Sequence, residues 1–404
     1  MARAYLDHAS SSPLRPAALE AMLPFLRDHH ADPGRVHSEG HVTRVAVETA
    51  REQVAALFGA RPREVVFTAT GTESVNAAIW GAAERSRERD SSPQAHIVTS
   101  AVEHSSVLDA CRRSGADLSI VGVDRTGRFR ADAVAEQLRD DTALVTVQAA
   151  NHEVGTLQED LASIVALARA RGVLVHVDAC AAGGHIRVDL TSLDADLLSV
   201  TAHTLGGPKG AAALLVRRGV RIPSFLVGGM QERARRAGIE DVPAIVGFGA
   251  AAAELATDDR LAGEARVART QTDRIVAAAT AVDGVEQLGD PGGRLPHLVC
   301  LSIAGVEAEP ILLGLDQRGI AVHSGSSCSS ESLEPSPVLE AMGVDADRSL
   351  RPSVGWNTTD DEIVAFDTAF GEVVAKLRAL RTGTERTEKT AHTEMPAHVE
   401  MEDR

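Results

Sequence analysis

Lysine is almost missing from this chain. It occurs among 404 residues only at Lys209, Lys376 and Lys389, so arginine carries nearly all of the positive charge. Chemistry that needs a side-chain amine has three places to find one. Long apolar runs are missing too: no stretch of eighteen apolar residues occurs, which leaves no candidate for a membrane-spanning helix. The opening residues, MARAYLDHASSSPLRP, lack the apolar centre of a secretory leader, and a cytoplasmic location is expected. The formal net charge of −16 argues against nucleic acid as a partner.

Cysteine appears four times, too seldom for a disulfide framework in a chain this long, and never at metal-ligand spacing. Cys111 in SVLDACRR and Cys300 in LVCLSI lie in apolar patterns and read as small buried hydrophobes. Cys328 differs, because HSGSSCSSES is a loop of small polar residues with no core to hide in. The histidines of HHADPGRVHSEGH have no cysteine or carboxylate cluster around them, so no metal is expected.

What is present is alternation. Seven apolar segments (EVVFTAT, HIVTS, LSIVGV, ALVTVQAA, VLVHVDA, LLSVTAH, AAALLV) read as strands, and several are separated by helical patterns such as GTESVNAAIWGAAERS and DLASIVALARARG. Continuous apolar strands with intervening helices predict an α/β fold with a mostly parallel sheet covered on both faces. Ligands collect at the carboxyl ends of such strands. After about residue 257 the pattern changes to a smaller α+β arrangement. From Thr382 the chain is polar and unperiodic, and an unstructured tail over 382–404 is expected.

Strand ends hold the residues of chemical interest. FTATGTES turns at Gly71 and begins a helix at Thr72, which makes either a phosphate seat or a merely capped helix. VLVHVDA ends on Asp178, which either caps the next turn or pairs with a protonated ring nitrogen. His104 follows one strand, Asn151 and His152 follow another, and Thr201, His203 and Thr204 open the glycine-rich TAHTLGGPKG.

Taken in order, YLDHASSSP, DPGRVHSEG, TGTES, VEHSSVL, ANHEVGT, HVDA, GGPKG, GGMQER, SGSSCSSESLEPSPVLEAMG and LRPSVGWNTT resemble the cysteine desulfurases over roughly residues 4 to 380. These are pyridoxal 5'-phosphate enzymes of the class V aminotransferase fold. The resemblance implies a large cofactor-binding domain over 15–257 with a seven-stranded sheet. It also implies a small domain from 1–14 and 258–381 that carries the Cys328 loop. Asp178 would face the pyridinium nitrogen, and His104 would stack on the ring. Gly71, Thr72, Thr201 and His203 would hold the phosphate, and Asn151 and Arg351 the substrate carboxylate. Cys328 would take sulfur from L-cysteine and pass it, as a persulfide, to an acceptor protein, within a homodimer.

The pattern departs from that family at four positions. Thr204 stands where the resemblance places the Schiff-base lysine, Ala181 where it places a glutamine, Ile239 where it places a threonine, and His152 where it places a second asparagine. A hydroxyl forms no imine, so pyridoxal phosphate, if bound, would be held non-covalently. Two functions follow as expectations. One is a cysteine desulfurase with reduced or lost turnover; the other is a non-catalytic homologue serving as a partner-binding scaffold or persulfide relay.

Overall fold

The computed structural model describes residues 3–90, 94–325 and 335–393. After a short β1 (Ala4–Tyr5), the seven apolar segments become β2 (Val65–Thr68), β3 (His96–Ser100), β4 (Asp117–Val121), β5 (Thr142–Gln148), β6 (Leu174–Asp178), β7 (Leu197–Thr201) and β8 (Ala212–Val216). They form one sheet in the order β2-β8-β7-β6-β5-β3-β4. The pairs from β4 to β7 are parallel, and β8 runs antiparallel to both β7 and β2.

Alternation along each strand divides the core. Ile97 and Leu144 pack with Val75, Ile79 and Val107 on one face. Val98, Val145 and Val177 share the other face with Val54, Phe58, Ile164 and Phe248. Both faces are apolar because both are covered, which is why these strands read as unbroken hydrophobic runs.

One helix escapes the periodicity reading. Val242–Ala256, VPAIVGFGAAAAELA, is apolar nearly all round and packs against the helices Ser38–Leu57 and Pro16–Arg27. A Cβ on Gly249 would lie 2.6 Å from Ala50, so this crossing needs a glycine for the backbones to approach.

The smaller sheet takes β9 (Val285–Leu288), β10 (Cys300–Ile303), β12 (His323–Ser324) and β13 (Ser349–Arg351), all antiparallel, in the order β12-β13-β10-β9. Between them in sequence, β11 (Ile320–Ala321) pairs in parallel with β1. Ala4 and Leu6 share a core with Ile275, Leu301, Phe366 and Phe370, so the first residues join the last part of the chain. The closing helix runs Asp360–Thr393. It continues into the segment where an unstructured tail was expected from Thr382. Among the described residues, no helix is long and apolar enough to cross a membrane.

Candidate functional site

The carboxyl ends of β2, β3, β5, β6 and β7 open on a cleft of about 560 Å³. Gly71, Thr72, His104, Asp178, Thr201, His203, Thr204 and Arg351 all line it. Each arrives by a local device. His104 is the N-cap of the helix Ser105–Arg113, its Nδ1 accepting from Ser106 N at 3.1 Å, which turns the ring out at the strand end. Asp178 is the last residue of β6, and its Oδ1 accepts from Cys180 N at 2.9 Å. Past β7 the chain turns so that Thr204 Oγ1 donates to Cys180 O at 3.1 Å, tying the two strand ends together.

One corner of the cleft is built from backbone and hydroxyls. Thr70 Oγ1 accepts from Glu73 N, and Gly71 and Thr72 begin the helix on the cleft wall. A Cβ on Gly71 would lie 2.7 Å from Cys180 Sγ, so the wall is already at contact there. Across from it, Thr201 Oγ1 is buried with no hydrogen-bond partner. An unpaired buried hydroxyl is costly unless a ligand completes it, and a phosphate oxygen is a suitable partner. His203 is held below the usual imidazole range, first by burial and then by the nearby Lys209 charge. Lys209 itself is exposed on the cleft wall.

Arg351, only 2% exposed, donates from Nη1 to His152 O at 2.9 Å and from Nη2 to Ser10 Oγ at 2.8 Å. Its nearest carboxylate, Asp7, is 3.6 Å away, and its Nε has no partner. A buried guanidinium facing mostly neutral acceptors is prepared for an anion. The His152 and His104 rings meet edge to face at 5.0 Å across the mouth.

Asn151 is the predicted residue that the fold keeps off the wall. It is wholly buried, its Oδ1 accepting from Glu153 N and Val154 N and its Nδ2 donating to Val102 O. Its side chain shapes the turn behind the cleft. Cys328 lies outside the described residues. The other three cysteines are free thiols, with Cys111 and Cys300 buried as expected. Among the described residues no group of three or more His, Cys, Asp or Glu is placed to hold a metal ion.

The sequence pattern of the aminotransferase class-V family matches residues 4–366. The chain belongs to that family. Within it, the chain is 40% identical over 387 residues to the putative cysteine desulfurase IscS 1 of Bacillus subtilis, covering 93% of this chain and 100% of that protein. It is 37% identical over 392 residues to the cysteine desulfurase IscS of Methanosarcina thermophila, covering 96% and 95%. A solved structure of a NifS-like protein superposes with a TM-score of 0.85 at 29% identity, covering 93% of this chain and all of that one. Class V aminotransferases and cysteine desulfurases are pyridoxal-phosphate-dependent, and the present class V chain is cysteine desulfurase-like.

Several polar members of the wall escape the sequence reading, among them Ser10, Ser11, Thr70, Ser106, Gln148 and Cys180. Behind them Glu103 is fully buried, accepting on Oε1 from Ser100 Oγ at 2.5 Å and from Gln148 N at 3.1 Å. Burial pushes its carboxyl up to about 8. The signal that could have found Gln148 is a polar residue ending an apolar strand, directly before the ANHEVGT turn.

Proposed function

We propose that this protein binds pyridoxal phosphate in the cleft without a covalent tether and handles L-cysteine there slowly or not at all. In this reading it transfers sulfur through Cys328 at a rate far below that of an enzyme with an amine in the pocket. The observation that carries it is Thr204: at the turn after β7 a hydroxyl, already donating to Cys180 O, occupies the cleft wall. Among the described residues lining the cleft, Lys209 is the one lysine. It sits five positions farther along the GGPKG turn, and we assign it no tethering role.

The residues present fit the cofactor's two ends. Thr201 Oγ1, the start of the helix at Gly71 and Thr72, and His203 hold the phosphate. Asp178 holds a proton on the ring nitrogen. When bound, the group supplies an electron-withdrawing ring that weakens bonds at an amino acid's α-carbon. Arg351 orients the substrate carboxylate, and His104 covers the ring face. Missing from the inventory is a base at the α-carbon, a contribution typically worth about 10²–10⁴ in rate. The homodimer and the acceptor protein belong to this reading as expectations from the family, and the cytoplasmic location as one from the opening residues.

The test combines two measurements on purified full-length protein. Pyridoxal phosphate is titrated in, followed by borohydride reduction and intact mass; alanine release from cysteine is then assayed with and without Cys328→Ser. Saturable binding, no mass gain and alanine formation near the level without protein support the proposal. A cofactor mass fixed on Lys209, or vigorous alanine release, overturns it.

A further inference from the structure

The large sheet ends in a polar pair. Gln148 closes β5, Asp178 closes β6, and the two are register partners on adjacent parallel strands. Paired residues project to the same face of the sheet, and neighbouring strands lie about 5 Å apart. Both residues line the cleft.

Gln148 is 3% exposed, and its Nε2 has no hydrogen-bond partner. Its backbone N–H donates to Glu103 Oε1. A primary amide sealed from water with a free donor end costs stability comparable to a lost hydrogen bond. The last bond of the side chain rotates, so the NH₂ end can be turned toward the cleft. Ala181, also on the cleft wall, offers only a methyl group. At this edge of the wall, then, a donor stands next to the Asp178 acceptor.

A donor beside an acceptor reads a ligand edge of the opposite pattern: a protonated ring nitrogen with an oxygen substituent close by on the same ring. Resting on the reading that the cleft takes pyridoxal phosphate, we infer that Gln148 is a cofactor-binding residue that donates to the ring oxygen while Asp178 takes the ring nitrogen. The interaction fixes the rotation of the ring in a pocket with no covalent tether, and it favours the ionised form of that oxygen.

The experiment is a double-mutant cycle between protein and ligand. Wild type, Gln148→Leu and Gln148→Glu are titrated by absorbance and calorimetry with pyridoxal phosphate and with its 3-deoxy analogue, which lacks the ring oxygen. Gln148→Leu is expected to weaken pyridoxal phosphate about tenfold and to leave the 3-deoxy analogue unchanged. Gln148→Glu, which replaces the donor by an acceptor, is expected to weaken pyridoxal phosphate further, again without effect on the analogue. It also tests the idea if the leucine variant misfolds, as judged by circular dichroism. Equal losses for both ligands, or none, overturn the role of Gln148 while leaving cofactor binding intact. Failure of the wild type to bind either ligand overturns both the inference and the reading beneath it.

Discussion

At Thr204 the proposed reading turns on a single oxygen. Its hydroxyl donates to Cys180 O and is buried, so a substituted lysine would have to leave that hydrogen bond and extend into the cleft. Thr204→Lys is expected to convert non-covalent pyridoxal phosphate binding into attachment fixed by borohydride and visible as a mass gain. The same variant is expected to raise alanine release by at least the two decades that acid–base help supplies. No mass gain in the variant would mean that the turn after β7 does not aim into the site. Arg351 makes a second residue-scale prediction. Its planar fork is already oriented by His152 O and Ser10 Oγ. Arg351→Lys keeps the charge but loses the paired donors, and L-alanine binding in the presence of cofactor should weaken about tenfold by calorimetry.

Among elements, the loop bearing QERAR is anchored by a buried ion pair, with Arg233–Glu48 and Arg236–Glu73 nearer the surface. Glu232 receives both ends of the Arg51 guanidinium at 2.7 Å and also accepts from Phe67 N at 2.9 Å. Arg51 lies 4.7 Å over the Phe67 ring and donates to Val65 O. The loop needs this hold, because Glu232, Arg233 and Ala234 have φ of 47°, 59° and 62°, in the left-handed region that disfavours side chains. Glu232→Ala strips the buried Arg51 guanidinium of its buried carboxylate, leaving Glu48 at 3.1 Å from Nε as its remaining acidic partner, and should cost about 3 kcal/mol in urea unfolding. The double change Arg51→Met with Glu232→Met should cost less than Glu232→Ala, because no charge is stranded. The helix Val242–Ala256 belongs to this scale as well. Its glycines and alanines serve close packing against Ser38–Leu57, so it carries no apolar stripe, and periodicity alone does not single it out.

Over the whole molecule, buried histidines are expected to weaken the fold in acid. His8, from the first residues, is pushed down to about 4, chiefly by burial; His185, from the large sheet's side, is pushed down to about 3. His297, at the entry to the small sheet, falls well below the ordinary range, and its ring stacks on His185 at 3.4 Å. His176, inside β6, is likewise lowered to about 4. In the unfolded chain these groups protonate near 6.5, so between pH 6.5 and 4 the unfolded state binds more protons and stability falls as pH falls. Glu103 has the opposite sign: with its carboxyl at about 8 when folded, stability falls as pH rises from about 4.5 to 8. Below 6.5 the lowered histidines, His96 and His203 among them, outnumber the raised carboxyls Glu103, Glu240 and Asp367. Urea-unfolding free energies are therefore expected to peak near pH 6.5, to drop by several kcal/mol toward pH 4.5, and to decline more gently toward pH 8. Histidine-to-asparagine changes at His185 and His297 should flatten the acid limb; an unchanged slope would remove these rings from the explanation.

Local pattern determined much of this protein. Six of the seven strands stand out in sequence because each is a short run buried on both faces, whereas the edge strand β4 is largely exposed. The residues at their carboxyl ends, Gly71, His104, Asp178, Thr201, His203 and Thr204, could be picked as site candidates because a parallel sheet delivers those ends to one edge. Arg351 was found through resemblance alone, since it comes from the small sheet and no spacing connects it to the others. Only the tertiary structure decided which polar atoms are already satisfied. It turned Asn151 inward to hold its own loop, left Thr201 Oγ1 and Gln148 Nε2 unpaired, and joined Arg51 to Glu232 across the chain. Hydrogen-bond satisfaction depends on neighbours supplied by distant segments, and nothing in the local order of residues encodes it.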